Sequence, residues 1–329
     1  MQTFDEPGGA ASGTGAADVT EAASGVGAAS GVGVASGVGV ASGVRADREM
    51  LDKHGIKFSK SKGQNFLIDA NIPEKIVRLS GIDGSCDVLE VGPGLGALTA
   101  ALSKAAGRVT AVELDGRFVP ILNDMFASHT NVRIVQGDIL KTDIAQLVSG
   151  QTPRQTTGQR LLLCANLPYN ITTPAITAFI NAGLFESMTV MVQREVARRI
   201  CAKPASPDYG AFTVFVNFHA SPATLFDVPP ECFYPRPGVW SSVVMLKTVQ
   251  GRGLDPVEKA MLFRVVRAAF GQRRKTLVNA LHSTFGDALD KPDIEKAVTG
   301  CGFDPRVRGE RLSLEEFTEL SKKITHILP

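Results

Sequence analysis

Short apolar runs separated by helical stretches set the pattern through the middle of this chain. Asp87–Val91, Val109–Leu114, Val132–Val135, Leu161–Ala165 and Met188–Gln193 read as buried strands, each too short to be a helix. Between them, Ala97–Ala106, Phe118–Ser128, Ile144–Val148 and Pro174–Gly183 read as helices, and Ile72–Leu79, with Pro73 near its first turn, precedes the first strand. Repeated strand-then-helix alternation predicts a doubly wound, Rossmann-like α/β sheet. Two further strand patterns, Phe212–Phe218 and Ser242–Lys247, are joined through the proline-rich loop Val228–Pro237. After Gly253 the pattern turns helical, over Pro256–Phe270, Lys275–Ser283, Asp293–Thr299 and Ser313–Ile327.

Residues 1–44 break the pattern. From Ala23 the hexad Ala-Ser-Gly-Val-Gly-Ala/Val repeats, without aromatics and with too little large apolar surface to offset the entropy of ordering. A disordered tail over 1–45 is expected, followed by an α/β domain over 46–250 and an all-helical domain over 251–329. Residues 1–44 have no Arg, as a mitochondrial transit peptide would need, and no basic region as in a secretory signal.

Composition narrows the class. The 329 residues are 44% hydrophobic and 21% charged, which suits a globular protein in the cytoplasm. No apolar run approaches the roughly 20 residues that span a bilayer, so no membrane partner is expected. The tail carries four acids and no base, so residues 45–329 hold a net charge of +6 within the total of +2. A modestly basic body is compatible with nucleic acid. The five cysteines are scattered, without a Cys-x-x-Cys pair or a histidine at zinc spacing, so reduced thiols and no metal site are expected.

Candidate chemistry begins at Glu90-Val91-Gly92-Pro93-Gly94-Leu95-Gly96, between a strand and a helix. Gly92 and Gly94 allow a tight turn and close approach of a ligand to a helix N-terminus, and Glu113 at the end of the next strand can hold ribose hydroxyls. Gly92-x-Gly94-x-x-Ala97 also satisfies the dinucleotide fingerprint, so a dehydrogenase stays open here. Asp138, ending the third strand, can accept a hydrogen bond from an adenine amine, as an acid does there in methyltransferases that use S-adenosylmethionine.

The sharpest motif is Asn166-Leu167-Pro168-Tyr169, directly after the apolar strand Leu161–Ala165. Ligands of open α/β sheets sit at the carboxyl ends of the strands. An aromatic amine is a poor nucleophile because its lone pair is delocalised into the ring. A site that methylates it must accept hydrogen bonds from the amine as charge develops. The Asn166 side-chain oxygen and the Pro168 or Leu167 carbonyl can do so, and Tyr169 can stack on the base and align it.

Together these residues resemble the ribosomal RNA adenine N6,N6-dimethyltransferases of the kasugamycin-sensitivity type. The resemblance runs through Gly63–Leu67, Glu90–Gly96, Gln136–Asp138, Asn166–Asn170, Val228–Val244 and Phe270–Leu277 and covers about Leu51–Pro329. It implies a Rossmann-like S-adenosylmethionine-dependent methyltransferase sheet with a small helical C-terminal domain. It implies cofactor contacts from Asn65, Leu67, Gly92, Glu113, Asp138 and Asn166, and makes Phe233 the second face of the base clamp. The implied reaction is dimethylation of two adjacent adenines near the 3′ end of small-subunit rRNA. An immature small ribosomal subunit is the expected partner, and the enzyme is expected to be a monomer. Erythromycin-resistance-type enzymes, which modify large-subunit rRNA, are the near alternative, and an RNA-binding assembly factor whose catalysis is secondary is the distant one. The tail 1–44 and the polar loop Gly150–Gln159 depart from the family.

One basic window remains. Lys259–Lys275 holds Arg264, Arg267, Arg273, Arg274 and Lys275 with no acid, while Leu262, Val265, Val266, Ala269 and Phe270 fall on one helical stripe. Arg264 and Arg267 then face away from the core, as a phosphate-binding face requires. RNA recognition by shape and backbone, with the target adenine splayed out, follows from such a face.

Overall fold

The computed structural model describes residues 65–149, 160–250 and 252–328. The expected disordered tail and the Gly150–Gln159 loop lie outside the described residues.

Seven strands form one sheet in the order β4-β3-β2-β5-β6-β9-β7. Its strands are β2 (Cys86–Val91), β3 (Arg108–Glu113), β4 (Val132–Gln136), β5 (Arg160–Asn166), β6 (Ser187–Gln193), β7 (Ala220–Val228) and β9 (Ser241–Thr248). β2 to β6 run parallel, and β9 is antiparallel to both β6 and β7. A separate pair, β1 (Phe66–Leu67) with β8 (Phe233–Tyr234), is antiparallel. The chain lays β2, β3 and β4 outward in one direction and then returns to place β5 on the other side of β2. That reversal opens a crevice between the carboxyl ends of β2 and β5, the usual ligand site of such sheets.

Helices α1 (Asn71–Ser80), α2 (Ala97–Ala105), α3 (Phe118–Met125), α4 (Ile144–Ser149) and α5 (Thr172–Ala182) accompany the parallel strands. β5 shows why a continuous apolar run makes a central strand. Leu161–Ala165 are all buried, with Leu162 and Ala165 covered by opposite faces of the sheet core.

The expected strand Phe212–Phe218 is instead α7 (Ala211–His219), which follows α6 (Arg194–Ile200). The reason is its position between two cores. Val214 and Phe218, four residues apart, join the C-terminal helical core, whereas Val216 packs into the sheet core. A helix covered on both sides is apolar all round and loses the periodic signature that separates it from a strand. The outer strand is β7, in the segment after it. Pro222 is tolerated there because β7 lies at the sheet's edge, and the register shifts between Thr224 and Phe226.

After Gly253 come α8 (Pro256–Gly271), α9 (Leu277–Phe285), α10 (Lys291–Gly300) and α11 (Leu314–Ile327). Their core includes Tyr209, Val214 and Phe218, which precede the domain boundary expected after residue 250. Tyr209 also donates its hydroxyl to the Leu312 carbonyl at 2.8 Å. Asp255 starts α8 by accepting from the Val257 and Glu258 N–H groups, with Pro256 in the first turn.

Candidate active site

The crevice between β2 and β5 widens into a cleft of about 880 Å³, including its open mouth. Asn65 and Leu67 come from β1 and the residue before it, Gly92 and Gly94 from the turn after β2, Glu113 from the end of β3, and Asn166, Pro168 and Tyr169 from the end of β5. Eight of the residues singled out in the sequence therefore meet around one space.

The glycine turn shapes its floor. Gly94 has φ +58°, and a Cβ built there would stand 2.9 Å from the Phe66 ring. Its N–H donates to one Glu113 carboxylate oxygen at 3.1 Å, while the Asp115 N–H donates to the other at 2.8 Å. Glu113 is thus aimed by backbone on both sides. Burial raises its pKa, an effect these two hydrogen bonds oppose. Gly92 has φ +68° and faces the Pro168 ring across the crevice.

At the β5 end, the Asn166 side-chain nitrogen donates to the Asn65 carbonyl at 3.4 Å. That bond orients the amide and leaves Oδ1 as its acceptor. The Pro168 carbonyl is already engaged, accepting from the Ile171 N–H at 3.1 Å and the Thr172 hydroxyl at 3.2 Å, where α5 begins. The Tyr169 hydroxyl meets the buried Ser241 hydroxyl at 2.8 Å, which fixes the ring. Burial raises the Tyr169 pKa, so the phenol stays neutral.

Two expected participants lie elsewhere. Phe233 is only 2% exposed and does not line the cleft. Its backbone pairs with Leu67 across β1 and β8, and its ring joins a core with Leu67, Val228 and Cys232. A phenyl ring gains more from that enclosure than from an open cleft, so Phe233 backs the wall that Leu67 forms. Asp138 stands at the end of β4, one strand beyond Glu113, outside the lining residues. One of its oxygens accepts from the Leu140 N–H at 3.0 Å, and the other lies 3.5 Å from the Lys141 ammonium.

The cleft also holds residues that sequence reasoning passed over: Phe66, Glu90, Leu114 and Phe118. Glu90 is 1% exposed, and its Oε2 has no hydrogen-bond partner. An acid at an inward position of an otherwise apolar strand was the available signal. Phe66 and Phe118 carry none, because their rings meet, 5.5 Å apart, only through the fold.

On the C-terminal helices, Arg264 and Arg267 border a notch with Gln272 and Thr284. The Arg264 guanidinium lies over the Phe285 ring at 4.4 Å. Arg273 donates to the Tyr209 carbonyl at 2.9 Å and the Pro207 carbonyl at 3.2 Å. Arg273, Arg274 and Lys275 are all exposed residues. Among the described residues no cluster of side chains could hold a metal ion, and no helix is long and apolar enough to cross a membrane.

A family model described as ribosomal RNA adenine dimethylase matches residues 55–319. A protein of Geobacillus sp. (strain WCH70), named ribosomal RNA small subunit methyltransferase A, is 41% identical over 284 residues, 85% of this chain and 96% of that one. A protein of the same name from Moorella thermoacetica is 43% identical over 283 residues, 84% of this chain and 96% of the relative. Among solved structures, a dimethyladenosine transferase from Plasmodium falciparum superposes with a TM-score of 0.65 at 22% identity, covering 80% of this chain and 98% of that one. The 23S rRNA methyltransferase ErmE superposes at 0.61 with 23% identity, covering 79% and 100%. At these identities the two structures speak for the fold alone.

Proposed function

The chain belongs to the ribosomal RNA adenine dimethylase family, and from that premise we propose that it dimethylates the N6 amines of two adjacent adenines near the 3′ end of small-subunit rRNA. The methyl donor is S-adenosylmethionine, which supplies an electrophilic methyl group on a sulfonium when bound. The substrate is taken to be an immature small subunit and the enzyme a cytoplasmic monomer. The relatives that cover most of the chain at 41–43% identity carry the small-subunit name, which favours this reading over large-subunit methylation.

The cleft suits such a donor. It is a cation, and the lining offers the Glu113 carboxyl, with the buried Glu90 behind it. Glu113 keeps lone pairs for ribose hydroxyls beyond those taken by Gly94 and Asp115. Asn65, Leu67 and Gly92 supply the remaining wall, and Asp138 would serve the adenine end only from outside the present lining.

One observation carries the proposal: Asn166 and Tyr169 open onto the same cleft as the glycine turn and Glu113. Asn166 Oδ1 accepts one hydrogen of the target amine. Because the Pro168 carbonyl already takes two donors, the Leu167 carbonyl is the backbone acceptor left for the other hydrogen. These acceptors follow positive charge as it grows on nitrogen, which is electrostatic stabilisation of the transition state. No strong base is needed, since the methylated nitrogen loses its proton readily. Tyr169, braced by Ser241, stacks on the base and keeps the amine in line.

The test gives immature small subunits and labelled cofactor to the wild type and to Asn166→Ala. The wild type forms N6,N6-dimethyladenosine, and the variant slows by roughly 10²–10³-fold, as when a donor is removed from an oxyanion hole. Normal methylation by the variant removes Asn166 from the chemistry. Methylation of large-subunit RNA in preference would transfer the proposal to the other branch.

A further inference from the structure

Trp240 is the only tryptophan in the chain, and it is 41% exposed, beside Val239 at 45%. So large an aromatic surface left open is unusual for a residue that gains so much from burial. The indole is nonetheless held in place. The Arg194 guanidinium lies 5.2 Å from its ring centroid, and the Trp240 carbonyl accepts from the Arg194 N–H at 2.9 Å.

Its place in the fold ties it to the cleft. The next residue is Ser241, which braces Tyr169 and pairs with Gln193 at the carboxyl end of β6. Asn166 pairs with Met191 on that same strand. Trp240 therefore stands at the end of the sheet that carries the methyl-acceptor residues, at the start of β9 and two strands from β5. The neighbouring segments α6 and Val228–Pro237 carry several arginines. Arg199 and Arg236 pair with Glu195 and Glu231, while Arg194 and Arg198 make no ion pair among the described residues.

We propose that Trp240, backed by Arg194, is a stacking platform for an unpaired nucleobase of the substrate RNA next to the adenine held in the cleft. The proposal rests on the reading of the chain as an rRNA adenine dimethyltransferase. Base recognition by an exposed aromatic ring with a cation against it is how single-stranded nucleic acid is gripped without sequence readout. A splayed-out target adenine has lost its stacking neighbours. A ring at this position gives one of those neighbours a substitute surface and so holds the loop open. The Arg194 guanidinium beside the ring, which makes no ion pair among the described residues, favours a phosphate-bearing partner over an apolar protein surface.

The experiment measures methylation of immature small subunits by wild type, Trp240→Ala and Trp240→Phe, with S-adenosylmethionine affinity as the check on folding. Trp240→Ala is expected to raise KM for subunits roughly tenfold or more, the scale of one lost base–aromatic stack. Trp240→Phe recovers most of that loss, because a phenyl ring also stacks. Cofactor affinity stays unchanged in both. Ultraviolet crosslinking of the wild-type complex should join Trp240 to a nucleotide. An unchanged KM in Trp240→Ala, an equal loss in both variants with cofactor affinity intact, or a crosslink to a ribosomal protein overturns the proposal. A wild type that methylates no small-subunit adenine overturns the enzymatic reading, and this inference with it.

Discussion

Glu90 carries a carboxyl group in a place that has little use for its charge. It lies in β2 at 1% exposure, with Glu113 on β3 and the Cys164 thiol on β5 as its titratable neighbours. Burial pushes its pKa up to about 8; the Glu113 charge adds to the rise, and the Thr99 hydroxyl eases it from outside hydrogen-bonding geometry. The folded protein therefore keeps this proton to about pH 8, whereas the unfolded chain releases it near 4.5. Stability from this group is full below the unfolded value and declines as pH rises toward 8, with a slope on the order of 1 kcal/mol per pH unit. Glu90→Gln removes the titration. Melting temperatures of the ligand-free protein between pH 5 and 8 should fall for the wild type relative to the variant. Parallel curves would mean that Glu90 is already ionised. At this scale the sequence was most informative where a residue type brings its own chemistry, as in Asn166 and Tyr169. It was least informative for Phe233, because the burial of a phenyl ring depends on a two-residue pairing of β1 with β8 that no local pattern marks.

Among the elements, five parallel strands and their helices were legible from their apolar runs, although β4, expected as a buried strand, lies at the sheet edge with none of its residues fully buried. The failures sit together at α7 and β7. An all-apolar helix between two cores looks like a strand, and an edge strand with Pro222 and a register shift looks like a loop. The charges of the basic segment after α8 look alike in sequence but differ in their bonding within the fold. Arg273 binds two carbonyls of the segment before α7 and also reaches Glu310 at 3.4 Å. Arg274 is exposed. Arg273→Ala should lower stability by about 1 kcal/mol, since a charged donor to backbone is lost at a partly exposed site. Arg274→Ala should leave the melting temperature unchanged and weaken RNA binding. Denaturant midpoints for the two variants decide it: equal midpoints would show that the carbonyl bonds of Arg273 carry no net stability.

Across the whole molecule, the cleft and the basic notch belong to different cores, so cofactor binding and RNA binding can be perturbed separately. Arg264 and Arg267 line the notch beside α9, and neither lines the cleft. The contact of the Arg264 guanidinium with the Phe285 ring, 4.4 Å from its centroid, restricts the side chain before any phosphate arrives. If both arginines contact phosphates, each releases a counterion, and the slope of log affinity against log salt carries about 0.7–0.9 per contact. Arg264→Ala with Arg267→Ala should then reduce that slope by somewhat under two units. The loss of affinity should be largest at low salt and shrink as salt rises. Affinity for S-adenosylmethionine should not change. A uniform loss at every salt concentration would point to a lost surface shape and not to lost charge. An unchanged slope would take this helix out of the RNA interface and leave the positive charge beside Trp240 as the main electrostatic contact.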